Sequence, residues 1–282
     1  MFARFLFVLA APLLLTGCLI SPGKFASTLD LNDDGTFAFT YEGEIFFLGL
    51  SQLAQMGNAA EQFEAEECYD EDTFEQRECT ADEIAAQRAE WDAGAEERAA
   101  KARKDAEEMA AMMGGIDPSD PEATEKLRKL LLRHRGWNRV EIKGNGVYDV
   151  SYAVSGQLGH DFMFPTIEGF PATKPFVQIV LRDENTVRVN APGFAADDGS
   201  NPMGAMMGGM AGLGGLAAMA NEDADKLPDL PVMAGTFTIR TTGEILANNT
   251  DEGASSTGDT RVLSWDVDAG TSSAPTALVR FN

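Results

Sequence analysis

Residues 25–47 read FASTLDLNDDGTFAFTYEGEIFF and contain two apolar stretches on either side of the polar cluster NDDG at positions 32–35. Aromatic residues occupy every second position over residues 37–41, which is the period of a strand with one buried face. Asn, Asp and Gly are the residue types that tight turns favour. The sequence therefore predicts a β-hairpin over residues 25–49.

The same pattern returns over residues 136–282. Turns are predicted at Gly144-Asn145-Gly146 and at Asp183-Glu184-Asn185, each between two strand-like stretches. Two further stretches, 236–240 and 244–246, flank a third turn with hairpin spacing. No helical pattern separates these stretches, so we expect them to form a mostly antiparallel sheet together with the first hairpin.

Residues 50–135 have a different character and predict an acidic, helical insertion. Thr80-Ala81-Asp82-Glu83 is a capping box, which predicts a long helix that ends near Gly114-Gly115. A second helix is predicted downstream, with a buried leucine stripe within residues 127–131. The predicted fold is thus α+β, with a mostly antiparallel β-sheet domain (25–49 and 136–282) that carries a long helical insertion (50–135).

The first eighteen residues predict an export signal. Arg4 provides a positive start, positions 5–15 are almost all apolar, and Leu15-Thr16-Gly17-Cys18 follows. The apolar run is too short to span a bilayer, which favours a signal peptide over residues 1–17 rather than a transmembrane anchor. The alternative is an ordinary signal peptide whose cleavage site lies near a cysteine.

The quartet at positions 15–18 resembles the lipobox of bacterial lipoproteins, in which the cysteine is obligatory. The resemblance implies that Cys18 becomes the mature N-terminus and carries a thioether-linked diacylglycerol and an amide-linked fatty acid. Leu19, rather than aspartate, follows the cysteine. In lipoprotein families this implies sorting to the outer membrane. Residues 18–24 would then form a short lipidated tether that holds the folded domain close to the lipid surface.

Three stretches carry a wider resemblance: residues 15–31 with the turn that follows them, the Cys68 and Cys79 pair, and residues 235–265. With these features the chain looks like the uncharacterised lipoproteins of Gram-negative alphaproteobacteria, of the sphingomonad kind. The early hairpin and the late G-E-I…W strand pair also resemble the LppM-like lipoproteins of mycobacteria, from which the helical insertion departs. Neither resemblance implies a catalytic residue or a cofactor.

Cys68 and Cys79 are the cysteines that remain once Cys18 is assigned to lipid. An exported chain enters an oxidising compartment, in which an even pair of cysteines favours a disulfide. A zinc site would need more ligands, and His134 and His160 lie far away in the sequence. We therefore expect a small disulfide-closed loop.

The formal net charge of −23 argues against a nucleic-acid partner, because phosphates are bound by lysine and arginine. Anionic head groups would also repel the chain, which fits a protein held by acyl chains rather than by charge. One basic cluster stands out, and we expect it to pair with the acids of residues 61–83 rather than to face anionic lipid. Its members are Lys126, Arg128, Lys129, Arg133, Arg135 and Arg139.

Residues 195–231 interrupt the strand pattern and predict a flexible loop rich in Met and Gly. The stretch 203–220 has no charged residue and is composed almost wholly of Met, Gly, Ala and Leu. Thioethers suit both apolar surfaces and Cu(I), so the alternatives are an inert linker, an apolar contact loop and a copper site. The residues that would share one helical face are Met203, Met206, Met207 and Met210.

Three short patterns invite a metal or catalytic function. Residues 30–35 match the start of a calcium-binding loop, but Tyr41 occupies the place of its bidentate glutamate, so a hairpin turn is expected. The G-x-G-x-x-A pattern at 212–217 follows no strand, so no dinucleotide site is predicted. His160-Asp161 resembles part of a catalytic triad, but no serine elbow accompanies it, and a structural histidine is expected.

The sequence thus predicts a lipid-anchored cell-envelope protein with a non-catalytic binding or scaffolding role at the periplasmic face of the outer membrane. Its expected partners are the membrane, through the lipid on Cys18, and an envelope protein or an apolar ligand. No metal, cofactor or catalytic residue is predicted. The alternative is an envelope hydrolase that uses His160.

Overall fold

The structure is a computed structural model that describes residues 20–51, 63, 65–70, 76–112, 114–117, 120–170, 174–182, 185–196 and 231–281. Strands dominate this part of the chain, and the three helices that it contains lie between Ala81 and Leu132. The fold is therefore α+β with a preponderance of β-structure, which confirms the predicted class in outline.

The elements follow one another in an order that places the helices between two groups of strands. Within the described residues the strands are β1 (Ile20–Leu31), β2 (Thr36–Phe47), β3 (Cys68–Tyr69), β4 (Gln76–Arg77), β5 (Trp137–Gly144), β6 (Val147–Gln157), β7 (Phe162–Phe164), β8 (Val177–Arg182), β9 (Thr186–Asn190), β10 (Ala234–Thr241), β11 (Glu244–Asn248), β12 (Ser255–Thr257), β13 (Thr260–Asp268) and β14 (Thr276–Arg280). The helices there are α1 (Ala81–Ala93), α2 (Ala95–Met112) and α3 (Ala123–Leu132), and short 3-10 turns lie at Leu48–Leu50 and Pro192–Phe194.

Most of these strands belong to two sheets. The first contains seven of the described strands in the order β12-β13-β10-β1-β2-β6-β5, and the second contains five in the order β11-β14-β9-β8-β7. Among these strands the neighbours are antiparallel except β1 and β10, which run parallel with Lys24 opposite Ala234. β1 is thus the central strand of the first sheet, with a parallel neighbour on one side and an antiparallel neighbour on the other.

The hairpin predicted over residues 25–49 is present, but its first strand is longer than predicted. β1 begins at Ile20, which pairs with Phe47 of β2. Residues 20–24, predicted as part of the tether at 18–24, therefore lie in the sheet. Proline and glycine in this stretch favoured a linker, but a strand accepts both at an irregularity in its ladder.

That irregularity is a bulge between Pro22 and Phe25 of β1. Gly43 of β2 lies opposite the bulge and has a φ angle of 140°. A Cβ atom at Gly43 would lie 2.2 Å from the carbonyl oxygen of Lys24. Only glycine fits this position, because any other residue would meet both the strained backbone angle and the clash.

The turn at residues 241–243 does not join a hairpin. Its spacing predicts that the strands before and after it pair with each other, but they do not. β10 belongs to the first sheet, whereas β11 pairs with β14 in the second. Ile239 before the turn and Ile245 after it both pack against the core, each from its own sheet. The chain changes layers here because the two isoleucines bury their side chains from opposite sides of the core.

The apolar faces of the two sheets meet in a core rich in aromatic rings. Phe39 and Tyr41 of β2 have ring centroids 5.2 Å and 5.1 Å from that of Phe164 in the second sheet. Tyr152 of β6 lies 4.6 Å from the same ring. Aromatic pairs at these separations add orientation-dependent attraction to the area that they bury. They hold the two sheets face to face as a β-sandwich.

α3 packs on the β5 and β6 side of the first sheet. Its residues Leu127 and Leu131 are fully buried, as predicted, and Leu130 is partly buried against the core. The hydroxyl of Tyr148 donates a hydrogen bond to the carbonyl oxygen of Thr124 over 3.1 Å. Burial raises the pKa of Tyr148, so this hydroxyl stays neutral and keeps its proton for the helix.

The long helix predicted downstream of the capping box is divided in two. The box is present at the start of α1, but Gly94 separates α1 from α2. Nη2 of Arg98 donates to the carbonyl oxygen of Trp91 over 2.6 Å, which satisfies one of the free carbonyls at the end of α1. The structure therefore does not confirm a single long helical insertion over residues 50–135.

Replacing Phe39 by alanine is expected to lower the free energy of unfolding by about 3–5 kcal/mol, because it leaves a cavity in the aromatic core. Thr40→Ala, on the exposed face of the same strand, is the matched control, expected to change that free energy by less than about 0.5 kcal/mol. Urea unfolding monitored by circular dichroism measures both. Equal effects of the two substitutions would contradict the position of Phe39 in the core.

Candidate functional site

The residues that the sequence singles out for contact with lipid or an apolar partner lie outside the described residues. They are Cys18, Met203, Met206, Met207 and Met210. The structure does describe the chain beside them, because Ile20 follows Cys18 closely and because Ala196 and Pro231 flank the Met/Gly stretch. The positions of these flanking residues define the candidate site.

β1 starts at one end of the first sheet, with Ile20 opposite Phe47, the last residue of β2. β10 starts at the same end with Ala234, because it runs parallel to β1. β13 ends there with Asp268, because it is antiparallel to β10. We call this end of the sandwich, where these strands begin or finish, the Ile20 end. Ile20, Phe47, Ala234 and Asp268 define it.

The chain at the Ile20 end is well packed up to its first described residue. Ile20 is only 3% exposed, and the turn Leu48–Leu50 that follows β2 is buried. The backbone N–H of Phe47 donates to the carbonyl oxygen of Gly146 over 2.8 Å, which connects β2 to the turn between β5 and β6. The start of β1 is therefore held in the sheet and does not swing as a free tether.

The two described residues that flank the segment 197–230, Ala196 and Pro231, also lie at the Ile20 end. The backbone N–H of Ala196 donates to the carbonyl oxygen of Thr271 over 2.7 Å, and Thr271 in turn donates to Asp268 at the end of β13. On the other side, Pro231 precedes the first residue of β10 by three positions. The Met/Gly segment therefore leaves and re-enters the fold beside the start of β1.

Sequence reasoning missed this convergence. β1 and β10 pair in parallel although most of the chain separates them in the sequence. Neither strand carries a local signal that identifies its distant partner. The nearest clue is Gly235, where a Cβ atom would lie 2.2 Å from the carbonyl oxygen of Phe25. A glycine within a strand indicates the close approach of another backbone but does not say which one.

Cys68 and Cys79 form a disulfide bond, as the sequence predicts. They close the small hairpin of β3 and β4, in which Cys68 pairs with Arg77. Gln87 of α1 connects this hairpin to the helix, since its Oε1 accepts the backbone N–H of Glu66 over 2.9 Å. The disulfide hairpin is thus docked on α1, and we call the hairpin and α1 together the disulfide module.

Two arginines lie over aromatic rings around α1. The guanidinium of Arg98 is 3.6 Å from the ring centroid of Trp91, and that of Arg88 is 5.2 Å from the ring centroid of Phe63. The two rings meet edge to face at 6.3 Å. No residue of α1 is buried, so these contacts hold Phe63 and the start of α2 against the exposed surface of α1.

Glu83 joins the disulfide hairpin to the start of α1. Its carboxylate accepts from both terminal nitrogens of Arg77, at 2.9 Å and 2.6 Å, and from the backbone N–H of Thr80 at 2.8 Å. These bonds favour the ionised form. The Arg77 guanidinium, with Thr80, lowers the pKa of Glu83 from 4.5 to about 2.

The basic cluster finds its partners elsewhere than predicted. No acidic residue in the described parts of residues 61–83 forms an ion pair with this basic cluster. The predicted pairing is therefore wrong for those described residues. Glu141 is a further partner of Arg139 on the edge strand β5, at 3.7 Å. The main pairs are Lys126 with Asp120, Arg128 with Glu125, Arg133 with Glu168, and Arg139 with Asp149.

His160 lies exposed between β6 and β7. Its Nδ1 is 2.8 Å from the backbone carbonyl oxygen of Asp161, its neighbour in sequence. The Asp161 carboxylate accepts the backbone N–H of Leu181 over 2.9 Å and so belongs to β8 rather than to the imidazole. The two residues do not form a dyad in which the carboxylate orients the histidine.

The calcium-loop pattern at residues 30–35 is a hairpin turn. Asp30 forms an ion pair with Arg240 at 2.7 Å, and Oδ1 of Asp34 accepts the backbone N–H of Thr36 over 2.9 Å. Both carboxylates thus stabilise neighbouring strands. Over the described ranges, no group of three His, Cys, Asp or Glu side chains is arranged to hold a metal ion.

No helix in the described part of the chain is long and apolar enough to cross a membrane. No protein-family model matches the chain, and no curated protein matches it. The resemblance to envelope lipoproteins therefore stays a prediction from the sequence, and the Ile20 end is the geometric feature that bears on it.

Replacing both Cys68 and Cys79 by serine is expected to destabilise the disulfide module by about 2–3 kcal/mol, because the closed loop no longer restricts the unfolded chain. Hydrogen exchange of the α1 amides measures this effect and is expected to become faster. Amides of β2 and β6 in the sandwich serve as the internal control and are expected to keep their rates. Unchanged exchange in α1 would show that the disulfide does not stabilise the helix.

Acidification is expected to break the Glu83 contacts in a defined range. Because the pKa of Glu83 is lower in the folded chain than its usual 4.5, the contacts stabilise fully above pH 4.5 and are lost as the pH falls through about 2. A side-chain carboxyl NMR titration is expected to give a midpoint near this lower value. Arg77→Gln should move the midpoint of Glu83 up towards 4.5, and an unmoved midpoint would contradict the assigned cause.

Proposed function

We propose that the protein is a lipid-anchored cell-envelope protein with a non-catalytic binding or scaffolding role, attached through Cys18 to the periplasmic face of the outer membrane. The observation that carries the proposal is the Ile20 end. The start of β1, which follows Cys18 by two residues, and the two residues that flank the Met/Gly segment, Ala196 and Pro231, all lie at this end of the sandwich.

The distance between the lipid and the sheet is short. Cys18 precedes Ile20 by two residues, and an extended chain rises about 3.3 Å per residue, so the lipidated residue lies within about 7 Å of the sheet edge. Acyl chains contribute about 0.8 kcal/mol per buried methylene, and two or more chains hold a protein on a bilayer. A lipidated Cys18 would therefore press the Ile20 end against the membrane surface.

The same geometry gives the Met/Gly segment a role. Its flanking residues Ala196 and Pro231 lie at the edge that would face the bilayer, so Met203, Met206, Met207 and Met210 would be presented to lipid or to an apolar partner on it. Flexible thioether side chains adapt to irregular apolar surfaces. The strong negative charge of the chain supports attachment through apolar groups rather than through head-group electrostatics.

The hydrolase alternative lacks a comparable observation. His160 is exposed and contacts a backbone carbonyl, and the carboxylate beside it is engaged with Leu181. A hydrolytic site needs a nucleophile whose hydrogen bond to the histidine is oriented by a third group. In the ranges that the structure describes, the neighbours of His160 supply no such arrangement, so we do not propose an enzymatic function.

Lipidation is tested by growing cells that express the whole chain with an alkyne-tagged fatty acid. The wild type is expected to take up the label and to fractionate with the outer membrane, whereas Cys18→Ser should lose both properties. The double variant Cys68→Ser, Cys79→Ser is the matched control, because it removes two cysteines and is expected to keep the label. Equal labelling of wild type and Cys18→Ser would overturn the proposal.

The orientation is tested with a fluorophore on a single introduced cysteine in the lipidated protein bound to vesicles. Lys143→Cys, on an exposed residue at the Ile20 end of β5, is expected to be quenched by brominated lipids. Asp259→Cys, in the exposed turn at the opposite end of the sheet, is the control and should be quenched far less. Equal quenching, or stronger quenching at position 259, would show that another face meets the membrane.

A further inference from the structure

A cavity opens on the second sheet, on the face that points away from the core. Its volume is about 270 Å³, and Leu278 of β14, Arg188 of β9 and Ala247 of β11 line it. Leu278 points outward because its neighbours Ala277 and Val279 are fully buried on the inner face of the same strand. Leu278 and Arg188 lie directly opposite each other in the ladder, so an apolar side chain and a cation share one side of the cavity.

A bulge accounts for the presence of a cavity on a surface that a regular sheet would leave flat. The register of β11 against β14 shifts between Ile245 and Ala247, so that one extra residue lies in the edge strand. Such a bulge bends the bulged strand and increases its local twist. Ala247 and Leu278, which face each other just after the shift in the register, both line the cavity.

Asn248 also lines the cavity, and the orientation of its amide is fixed by Thr250. Its Oδ1 accepts both the backbone N–H of Thr250 at 3.1 Å and the Thr250 hydroxyl at 2.6 Å. These two bonds fix the orientation of the amide, because only the oxygen can accept. The Nδ2 group therefore points its hydrogens away from Thr250, and within the described chain it has no acceptor.

The neighbouring amide of Asn249 is fully used by the fold. Its Oδ1 accepts the indole N–H of Trp265 at 3.1 Å and the backbone N–H of Thr276 at 2.8 Å, and its Nδ2 donates to Ala274. The side-chain acceptors of both asparagines at the rim are thus occupied. Neither side-chain oxygen is therefore free to accept a hydrogen bond from a ligand.

Arg188 is the cation that lines the cavity. Other arginines on the sheets are paired, for example Arg240 with Asp30 at 2.7 Å and Arg280 with Glu244 at 3.3 Å. Among the described residues no carboxylate pairs with Arg188, although acids outnumber bases twofold in the chain. A guanidinium presents a planar fork of N–H groups that matches a carboxylate in two parallel hydrogen bonds.

We propose that this cavity binds a small organic carboxylate with an apolar body. The carboxylate accepts from Arg188, and the apolar body lies on Leu278 and Ala247, which share the outward face of the sheet with it. The volume is just below the range of about 300–1,000 Å³ that is typical of ligand pockets, which restricts the ligand to a short-chain or single-ring acid. The site goes beyond the proposed anchoring function and does not depend on it.

The binding test uses the whole chain in a non-ionic detergent, with hexanoate as the probe. Saturable NMR shifts of Nε–H of Arg188 are expected on titration with hexanoate. Hexylamine and hexanol, which keep the apolar body but lack the anion, should bind at least about tenfold more weakly, since charge-assisted hydrogen bonds are lost. Phosphate is expected to bind more weakly as well, because it leaves the apolar wall uncovered.

Two variants separate the site from general charge effects. Arg188→Gln is expected to weaken hexanoate binding at least about tenfold, whereas Arg182→Gln, which removes the same charge from an exposed position on the same face, should leave it unchanged. Ala247→Glu, on an exposed residue, places a carboxylate beside Arg188 and should also abolish binding without disturbing the core.

The outcomes that overturn the inference are distinct from those that concern the anchor. Absence of saturable hexanoate shifts, equal binding of hexylamine, or an undiminished affinity in Arg188→Gln would each refute a carboxylate site. Phosphate binding as tight as that of hexanoate would refute the role of the apolar wall. Cys18→Ser should bind hexanoate as the wild type does, so failure of the anchoring proposal leaves this result unaffected.

Discussion

The parallel pairing of β1 with β10 is the constraint on which the rest of the structure depends. It joins the N-terminal hairpin to the C-terminal half, and the Asp30–Arg240 ion pair on it connects residues 210 positions apart. Closing so long a loop has an entropic cost that grows only slowly with length, and the ladder and the burial of Leu29 and Ile239 offset it. Without this pairing the first sheet would separate into two parts, and the Ile20 end would not exist.

Irregularities in the strands, rather than the regular ladders, give the molecule its candidate sites. The bulge at Pro22 allows β1 to continue to Ile20, which follows Cys18 by two residues in the sequence. The bulge before Ala247 opens the cavity beside Arg188. In each case one misaligned residue changes what the surface of the sandwich offers, while the aromatic core beneath keeps its packing.

The elements that the sequence predicted correctly are those with local signals. The hairpin over residues 25–49, the Asn145-Gly146 turn, the capping box at Glu83 and the Cys68–Cys79 disulfide each depend on residues close together in the chain. The parallel strands, the separation of β10 from β11 and the pairing of Arg133 with Glu168 depend on tertiary neighbours and were missed. For the candidate sites, sequence supplied the Cys18 motif, whereas the cavity required the register of β11.

The charged edge strand β5 of the first sheet affects whether copies of the chain can associate through their sheets. β5 is one of the two outermost strands of this sheet in the described part of the chain, and Arg139, Glu141 and Lys143 occupy alternate positions along it. An open strand edge is a template for intermolecular sheet growth, and alternating charge opposes it. Proteins confined to a surface meet one another at high lateral density, so on a membrane this edge would keep neighbouring copies from joining into continuous sheets.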